Sequence, residues 1–260
     1  MAWKESFETV NKCKTRVMRG GKGAPLLFLH GARGASAWLP FMDKLAEKFE
    51  LIVPEHPGFG GSETPDWLDT VGDLAYFYLD VIDRLRRDRV TLVGTSLGGW
   101  IAAELAVRDC HPLRTLTLVA PAGIHVKGLA KGDIFMWSPE ETVRKLFHDT
   151  KMAEAALAHP MPEGEIMVQA KNRLTMAKLS WQPRLYNPHL HKWLHRIDVP
   201  TLIVWGDDDK VIPPAYGPVF AELVPGAKLE IIEKCGHLPQ VERADAFVAK
   251  VAAFITEAAR

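Results

Sequence analysis

Cysteine is scarce in this sequence: Cys13, Cys110 and Cys235 are the three in 260 residues. The number is odd and no two stand at motif spacing, which excludes a disulfide framework and argues against a cysteine–zinc site. Net charge is missing too. With 32 basic and 32 acidic residues the formal charge is +0, so nothing draws the chain electrostatically to nucleic acid or to an anionic membrane. No apolar run comes near the roughly 20 residues that span a bilayer. The opening MAWKESFETV is mixed polar, without the apolar stretch of a secretory leader, and the expected location is the cytoplasm. Repeats and low-complexity tracts are absent as well.

What the chain does have is apolar residues, 47% of the total, enough for a sizeable core. Short apolar runs at Leu26–Leu29, Leu51–Val53, Val90–Val93, Leu116–Val119 and Leu202–Trp205 have the length of strands buried on both faces. Helical periodicity lies between them. Leu68, Val71, Ala75, Tyr78, Leu79, Ile82 and Leu85 make one apolar face, and Phe247, Val248, Val251, Phe254 and Ile255 make another. Strands alternating with helices predict a mostly parallel sheet flanked by helices. A weaker alternation from Phe7 to Val17 suggests antiparallel strands at one edge.

One stretch breaks the alternation. Between Ile124 and Tyr186 no buried strand is evident, and short amphipathic helices replace it. Ser138, Pro139 and Glu141 form a helix start, with a capping serine, a proline at the first position and an acid three residues on. Five of the eight methionines fall here (Met136, Met152, Met161, Met167, Met176), in keeping with an adaptable pocket wall or with a thicker core. The expected organisation is a core of residues 1–123 and 187–260 with residues 124–186 inserted as a helical cap.

The strongest local signal is Gly94-Thr95-Ser96-Leu97-Gly98, a G-x-S-x-G pattern between a strand-like VTLVG and the helix start GGWIAAELAV. That context puts Ser96 on a tight strand-to-helix turn beside a helix N-terminus. A serine hydroxyl needs a base, and His237 in Lys234-Cys235-Gly236-His237-Leu238-Pro239 follows the last apolar run. His189, His191 and His195 have H-x-H-x3-H spacing, but no carboxylate ligand stands near them, and a solvated helix accounts for the pattern. The base needs an orienting acid. Asp207, Asp208 and Asp209 all follow the strand TLIVW, and periodicity does not choose among them. An oxyanion site needs backbone N–H donors. The amide of Leu97 and the amide of Ala32, in His30-Gly31-Ala32-Arg33-Gly34, are the candidates. His30 closes its strand and is expected to brace that loop by hydrogen bonding.

These segments together resemble the α/β-hydrolase superfamily, of the type with a helical cap. LLFLHG at 26–31, PEHPGFGGSETP at 54–65, VTLVGTSLGGW at 90–100, PTLIVWGDDDKVIP at 200–213 and CGHLPQVERADAF at 235–247 carry the resemblance, in the family order Ser, Asp, His. The resemblance implies the α/β-hydrolase fold and selects Asp209 as the acid, through the pattern W-G-x-x-D followed by an apolar residue and proline, with Asp208 as the fallback. Glu55 stands where the family usually has Asp. Serine at the elbow separates the chain from the dehalogenases and epoxide hydrolases of this fold, which use aspartate. Carboxylesterases, lactonases, perhydrolases and the carbon–carbon hydrolases of ring-cleavage products remain. The last group typically carries Trp after the histidine, where this chain has Leu238.

The expected function is a serine esterase acting on a small hydrophobic ester-like substrate through an acyl-enzyme, with Ser96, His237 and Asp209 catalytic. Trp38, Trp137 and Trp181 are expected to line the pocket, with Arg33 at its rim. No metal or organic cofactor is implied. Alternatives are a carbon–carbon bond hydrolase, a lyase or transferase using the same serine, and a small-molecule receptor on a hydrolase fold with little turnover.

Overall fold

The computed structural model describes residues 2–85, 89–158 and 161–258. The chain opens with a hairpin of β1 (Trp3–Val10) and β2 (Cys13–Gly20), then β3 (Pro25–Leu29), α1 (Pro40–Ala46), β4 (Glu50–Pro54) and α2 (Val71–Leu85). It continues through β5 (Val90–Thr95), α3 (Leu97–Arg108) and β6 (Leu113–Val119). Three helices follow without a strand: α4 (Pro139–Leu146), α5 (Thr150–Leu157) and α6 (Glu163–Ser180). The chain then returns with β7 (Thr201–Gly206), α7 (Tyr216–Leu223), β8 (Lys228–Ile232), α8 (Pro239–Glu242) and α9 (Ala244–Ala258).

The eight strands form one sheet in the order β1-β2-β4-β3-β5-β6-β7-β8. β1 pairs antiparallel with β2, and β2 with β4. Every pairing from β4 through β8 is parallel. The apolar runs are continuous because successive residues of one strand feed two cores. Leu27 and Leu29 pack into the larger core with α2 and α3, whereas Leu26 and Phe28 pack into the smaller one with α1 and α9. Ile203 and Trp205 divide from Leu202 and Val204 in the same way. A strand buried on both faces has no polar positions to alternate with.

Some helix boundaries differ from the periodicity. α2 starts at Val71, and Leu68 is buried in the turn before it. Ser138 caps α4 as its sequence suggests, its hydroxyl accepting from the Glu141 N–H at 3.1 Å. The methionines of the insertion divide. Met176 is buried, while Met136 and Met167 are 71% and 68% exposed. The three cysteines are buried free thiols. Among the described residues no helix is long and apolar enough to cross a membrane.

The sharpest steric demand lies where β5 turns into α3. A Cβ on Gly98 would sit 2.1 Å from the Leu29 carbonyl oxygen, and one on Gly94 would sit 2.2 Å from the carbonyl oxygen of Gly98. These are backbone atoms of β3 and of the first turn of α3, which cannot step aside. Gly98→Ala should therefore lower the unfolding free energy by more than about 2 kcal/mol, read from urea denaturation. A variant as stable as the parent would show that α3 does not press on β3 in this way.

Candidate active site

The carboxyl ends of β3, β5, β7 and β8 open on one edge of the sheet, and each contributes a loop there. Ser96 sits between β5 and α3 with φ 53° and ψ −110°, a left-handed conformation that a non-glycine residue adopts only under constraint. The constraint is visible in the bonding. The Ser96 N–H donates to the Val119 carbonyl at 2.8 Å, and its own carbonyl accepts from Trp100 and Ala122. The turn thereby lifts the hydroxyl out of the sheet at the start of α3.

His237 follows β8, and its Nε2 lies 2.9 Å from Ser96 Oγ. Its Nδ1 lies 2.7 Å from Asp209 Oδ2, in the loop after β7. The carboxylate can only accept from Nδ1–H, which leaves Nε2 unprotonated in the neutral ring and able to take the serine proton. Asp209 is held in turn: its other oxygen accepts from the N–H groups of Val211 and Ile212 at 2.8 and 2.9 Å. Asp209 and His237 are 4% and 3% exposed. The geometry separates the three aspartates. Asp208 pairs at the surface with His148 and Lys210, at 2.9 and 3.1 Å. Asp207 accepts from the Cys235 N–H at 3.0 Å and so ties the β7 loop to the histidine loop.

The loop after β3 lies against the serine, since a Cβ on Gly31 would be 3.4 Å from Ser96 Cβ. The Gly31 carbonyl accepts from the Gly34 N–H at 3.1 Å and from His30 Nδ1 at 2.7 Å. Clamping that carbonyl also fixes the other end of the same planar peptide, the Ala32 N–H, which points the opposite way. Among the described residues neither the Ala32 nor the Leu97 amide has a hydrogen-bond partner. Leu97 is the first residue of α3, where orphan N–H donors and the helix dipole favour negative charge.

Behind the loop is a buried histidine pair. The rings of His30 and His56 stack with centroids 3.6 Å apart. The His56 N–H donates to His30 Nε2 at 2.9 Å, and His56 Nε2–H donates to the His30 carbonyl at 2.8 Å. Tyr78 hydrogen-bonds the remaining nitrogen of His56. Burial holds His30 neutral, its pKa lowered to about 4, and burial also pushes His56 well below the usual range. His30 thus braces the loop, as its place at the strand end suggests.

The three tryptophans expected around a pocket have the following surroundings. Trp38 stacks on Trp3 at 5.5 Å and donates to Asp43, joining the edge hairpin to α1. Trp181 is half exposed with Arg184 over its face at 4.1 Å. Trp137 packs beside Gly132 with Lys145 above its ring. No hydrogen bond or ring contact joins any of the three to Ser96 or His237 among the described residues. Arg33 is exposed. His189, His191 and His195 point to solvent from two 3₁₀ turns, and no cluster among the described residues has the geometry for a metal ion.

Two buried polar residues went unnoticed in the sequence. Glu242, on α8, accepts from the N–H groups of Gly236 (2.6 Å), Asp149 (2.6 Å) and His148 (3.2 Å). It joins the histidine loop to the segment between α4 and α5. The Leu146 carbonyl reinforces this seam by accepting from the His237 N–H at 2.8 Å. Glu242 lies five residues beyond His237, at the end of α8. Asn172, on α6, is 1% exposed and had no signal beyond being polar. Glu55 is buried too, accepting from the Gly61 N–H at 2.8 Å, and burial raises its pKa.

Residues 26–250 match the Alpha/beta hydrolase family. Poly(3-hydroxyalkanoate) depolymerase of Ectopseudomonas oleovorans is 30% identical, over 96% of this chain and 93% of that protein. The 2-hydroxymuconate semialdehyde hydrolase of Pseudomonas sp. (strain CF600) is 28% identical, over 94% of this chain and 91% of its own length. Among solved structures, a membrane phospholipase A described as a bacterial virulence factor superposes with TM-score 0.79 at 26% identity, covering 99% of this chain and 87% of that one.

The neutral His30 gives a pH dependence with a definite sign. An unfolded histidine titrates near 6.5, and the folded ring near 4. The unfolded chain therefore binds the extra proton first, and stability falls as pH drops from about 6.5 toward 4, by about 3 kcal/mol in all. Urea midpoints at pH 7 and pH 5 should show this fall, and a His30→Asn variant should show less of it. Equal slopes in both proteins would rule out His30 as the source.

Proposed function

We propose that this chain, which belongs to the alpha/beta hydrolase family, is a serine esterase that cleaves a hydrophobic ester through an acyl-enzyme. The observation that carries the reading is the unbroken hydrogen-bond chain from Asp209 through His237 to Ser96 on a strained turn. In the first step Ser96 Oγ attacks the ester carbonyl carbon while His237 Nε2 takes its proton. Asp209 holds the ring and stabilises the imidazolium. The amides of Leu97 and Ala32 receive the oxyanion. His237 then passes the proton to the departing alkoxide. Water activated by His237 releases the acid and restores the serine. Residues 124–186 act as a cap over this site, with residues 1–123 and 187–260 as the core that carries it.

The depolymerase and the phospholipase among the similar proteins are named for ester substrates, in keeping with an ester here. A second reading, hydrolysis of a carbon–carbon bond in a ring-cleavage product, draws on the name of the semialdehyde hydrolase. Leu238 stands against it.

Para-nitrophenyl esters of increasing acyl length are the direct assay. Ser96→Ala should lower kcat/KM by at least about a thousandfold. A folded Ser96→Ala protein with parental turnover would eliminate the mechanism. A folded parent that spares every ester and cleaves a ring-cleavage product would move the assignment to the second reading.

The two acids separate in the same assay. Asp209→Asn should cost roughly ten-thousandfold in kcat by presenting the wrong histidine tautomer. Asp208→Asn, which loses only a surface pair, should stay within a few-fold of the parent. The reverse ranking would contradict the assignment of the acid.

A further inference from the structure

The insertion reaches into the site from α6, and it does so through one buried side chain. Asn172 Nδ2 donates to the Arg33 carbonyl at 2.8 Å, while its Oδ1 accepts from the Gly60 N–H at 2.8 Å. The side chain lies against Gly34, whose φ is +89° and where a Cβ would come 2.6 Å from Asn172 Nδ2. Gly34 thus has to be glycine for two reasons, its backbone conformation and the space Asn172 fills. Gln169, one turn earlier on α6, adds a more exposed bond to the same Arg33 carbonyl at 3.1 Å.

Arg33 and Gly34 close the turn that begins at Gly31, and the Gly34 N–H is one of the two donors on the Gly31 carbonyl. That carbonyl sets the direction of the Ala32 amide. A chain of contacts therefore runs from Asn172 to the Arg33–Gly34 peptide, to the Gly31 carbonyl, to the Ala32 N–H. His30 holds the turn from the sheet side, and α6 holds it from the insertion side.

We propose that Asn172 is a positioning residue for acyl transfer: by seating α6 on the Gly31–Gly34 turn it holds the Ala32 amide in its oxyanion-binding orientation. This rests on the serine reading above. The oxyanion site is then complete only while α6 is seated. The neighbouring ties of α6 do not share this role. Lys171 Nζ donates to the carbonyls of Gly60 and Ser62, and Thr175 Oγ donates to the carbonyl of Gly58. They hold α6 to a different loop and do not touch Arg33.

The test compares Asn172→Asp, Asn172→Ala and Lys171→Met with the parent. Asn172→Asp is nearly isosteric, keeps an acceptor for Gly60 and turns an oxygen toward the Arg33 carbonyl. Asn172→Ala serves if the buried carboxylate prevents folding. Each protein is assayed with a para-nitrophenyl ester and titrated with an alkyl trifluoromethyl ketone. Ser96 Oγ adds to that ketone carbon, its proton passes to His237, and the former carbonyl oxygen becomes a resident oxyanion.

Both Asn172 variants should lose roughly ten- to a hundredfold in kcat, a substantial part of the effect of removing one oxyanion donor. KM should stay within about twofold, and ketone affinity should fall by the same factor as kcat. Lys171→Met should melt lower than the parent with kcat and ketone affinity unchanged. Parental kcat in both Asn172 variants, a change in KM alone, or an equal loss of kcat in Lys171→Met would each overturn the assignment. Failure of the serine reading looks different: the parent itself would bind no ketone, and Ser96→Ala would match it in turnover.

Discussion

Parallel pairing of the strands from β4 to β8 is the constraint on which the site depends. Parallel strands all end on the same edge, so the loops after β3, β5, β7 and β8 converge although Ser96 and His237 are 141 residues apart in sequence. An antiparallel sheet would send half of those loops to the opposite edge. The two strands that do run antiparallel, β1 and β2, lie at the far side and contribute nothing to the polar chain. In open sheets of this kind ligands bind outside the carboxyl ends of the strands.

Convergence alone leaves the groups loosely aimed. Tight aim comes from buried polar residues whose bonding capacity is used within the fold. Asp209 spends one oxygen on two backbone amides and the other on His237. His30 and His56 exchange hydrogen bonds with each other's backbone and stay neutral in the core. Glu242 gathers three backbone amides, one from the histidine loop and two from the insertion. Such groups cost more when left unsatisfied than they contribute when paired, so each rigidly specifies its surroundings. The segment carrying α4 to α6 is stitched to the histidine loop through Glu242 and to the loop after β3 through Asn172.

One scaffold of this kind supports several chemistries, and the similar proteins are named as a depolymerase, a phospholipase A and a semialdehyde hydrolase. The hydrogen-bond chain joins a carboxylate, an imidazole and a hydroxyl on loops that the shared scaffold brings together. That arrangement by itself does not fix a substrate, since one fold carries many chemistries.

Much of this was legible in the sequence, and for physical reasons. A strand buried on both faces must be continuously apolar, so β3, β5, β6 and β7 announce themselves. Gly94 and Gly98 announce the turn, because a Cβ at either would strike backbone. Ser96 stands out because it directly follows such a strand, and His237 because it lies in the loop after the last apolar run. What stayed hidden was whatever depends on contacts between distant segments. Asp207, Asp208 and Asp209 look alike as turn residues: periodicity does not separate them, the family pattern points to Asp209, and the position of His237 in space sets it apart from the other two. Trp38, Trp137 and Trp181 are apolar and aromatic wherever they pack, so composition does not say whether a ring faces a pocket, a hairpin or an arginine. Asn172 is one polar residue among many on α6 until the tertiary fold buries it against Gly34. Local sterics and strand burial are written in the order of residues along the chain. The pairing of one buried polar group with another is decided by the folded distance between them, which only the tertiary structure sets.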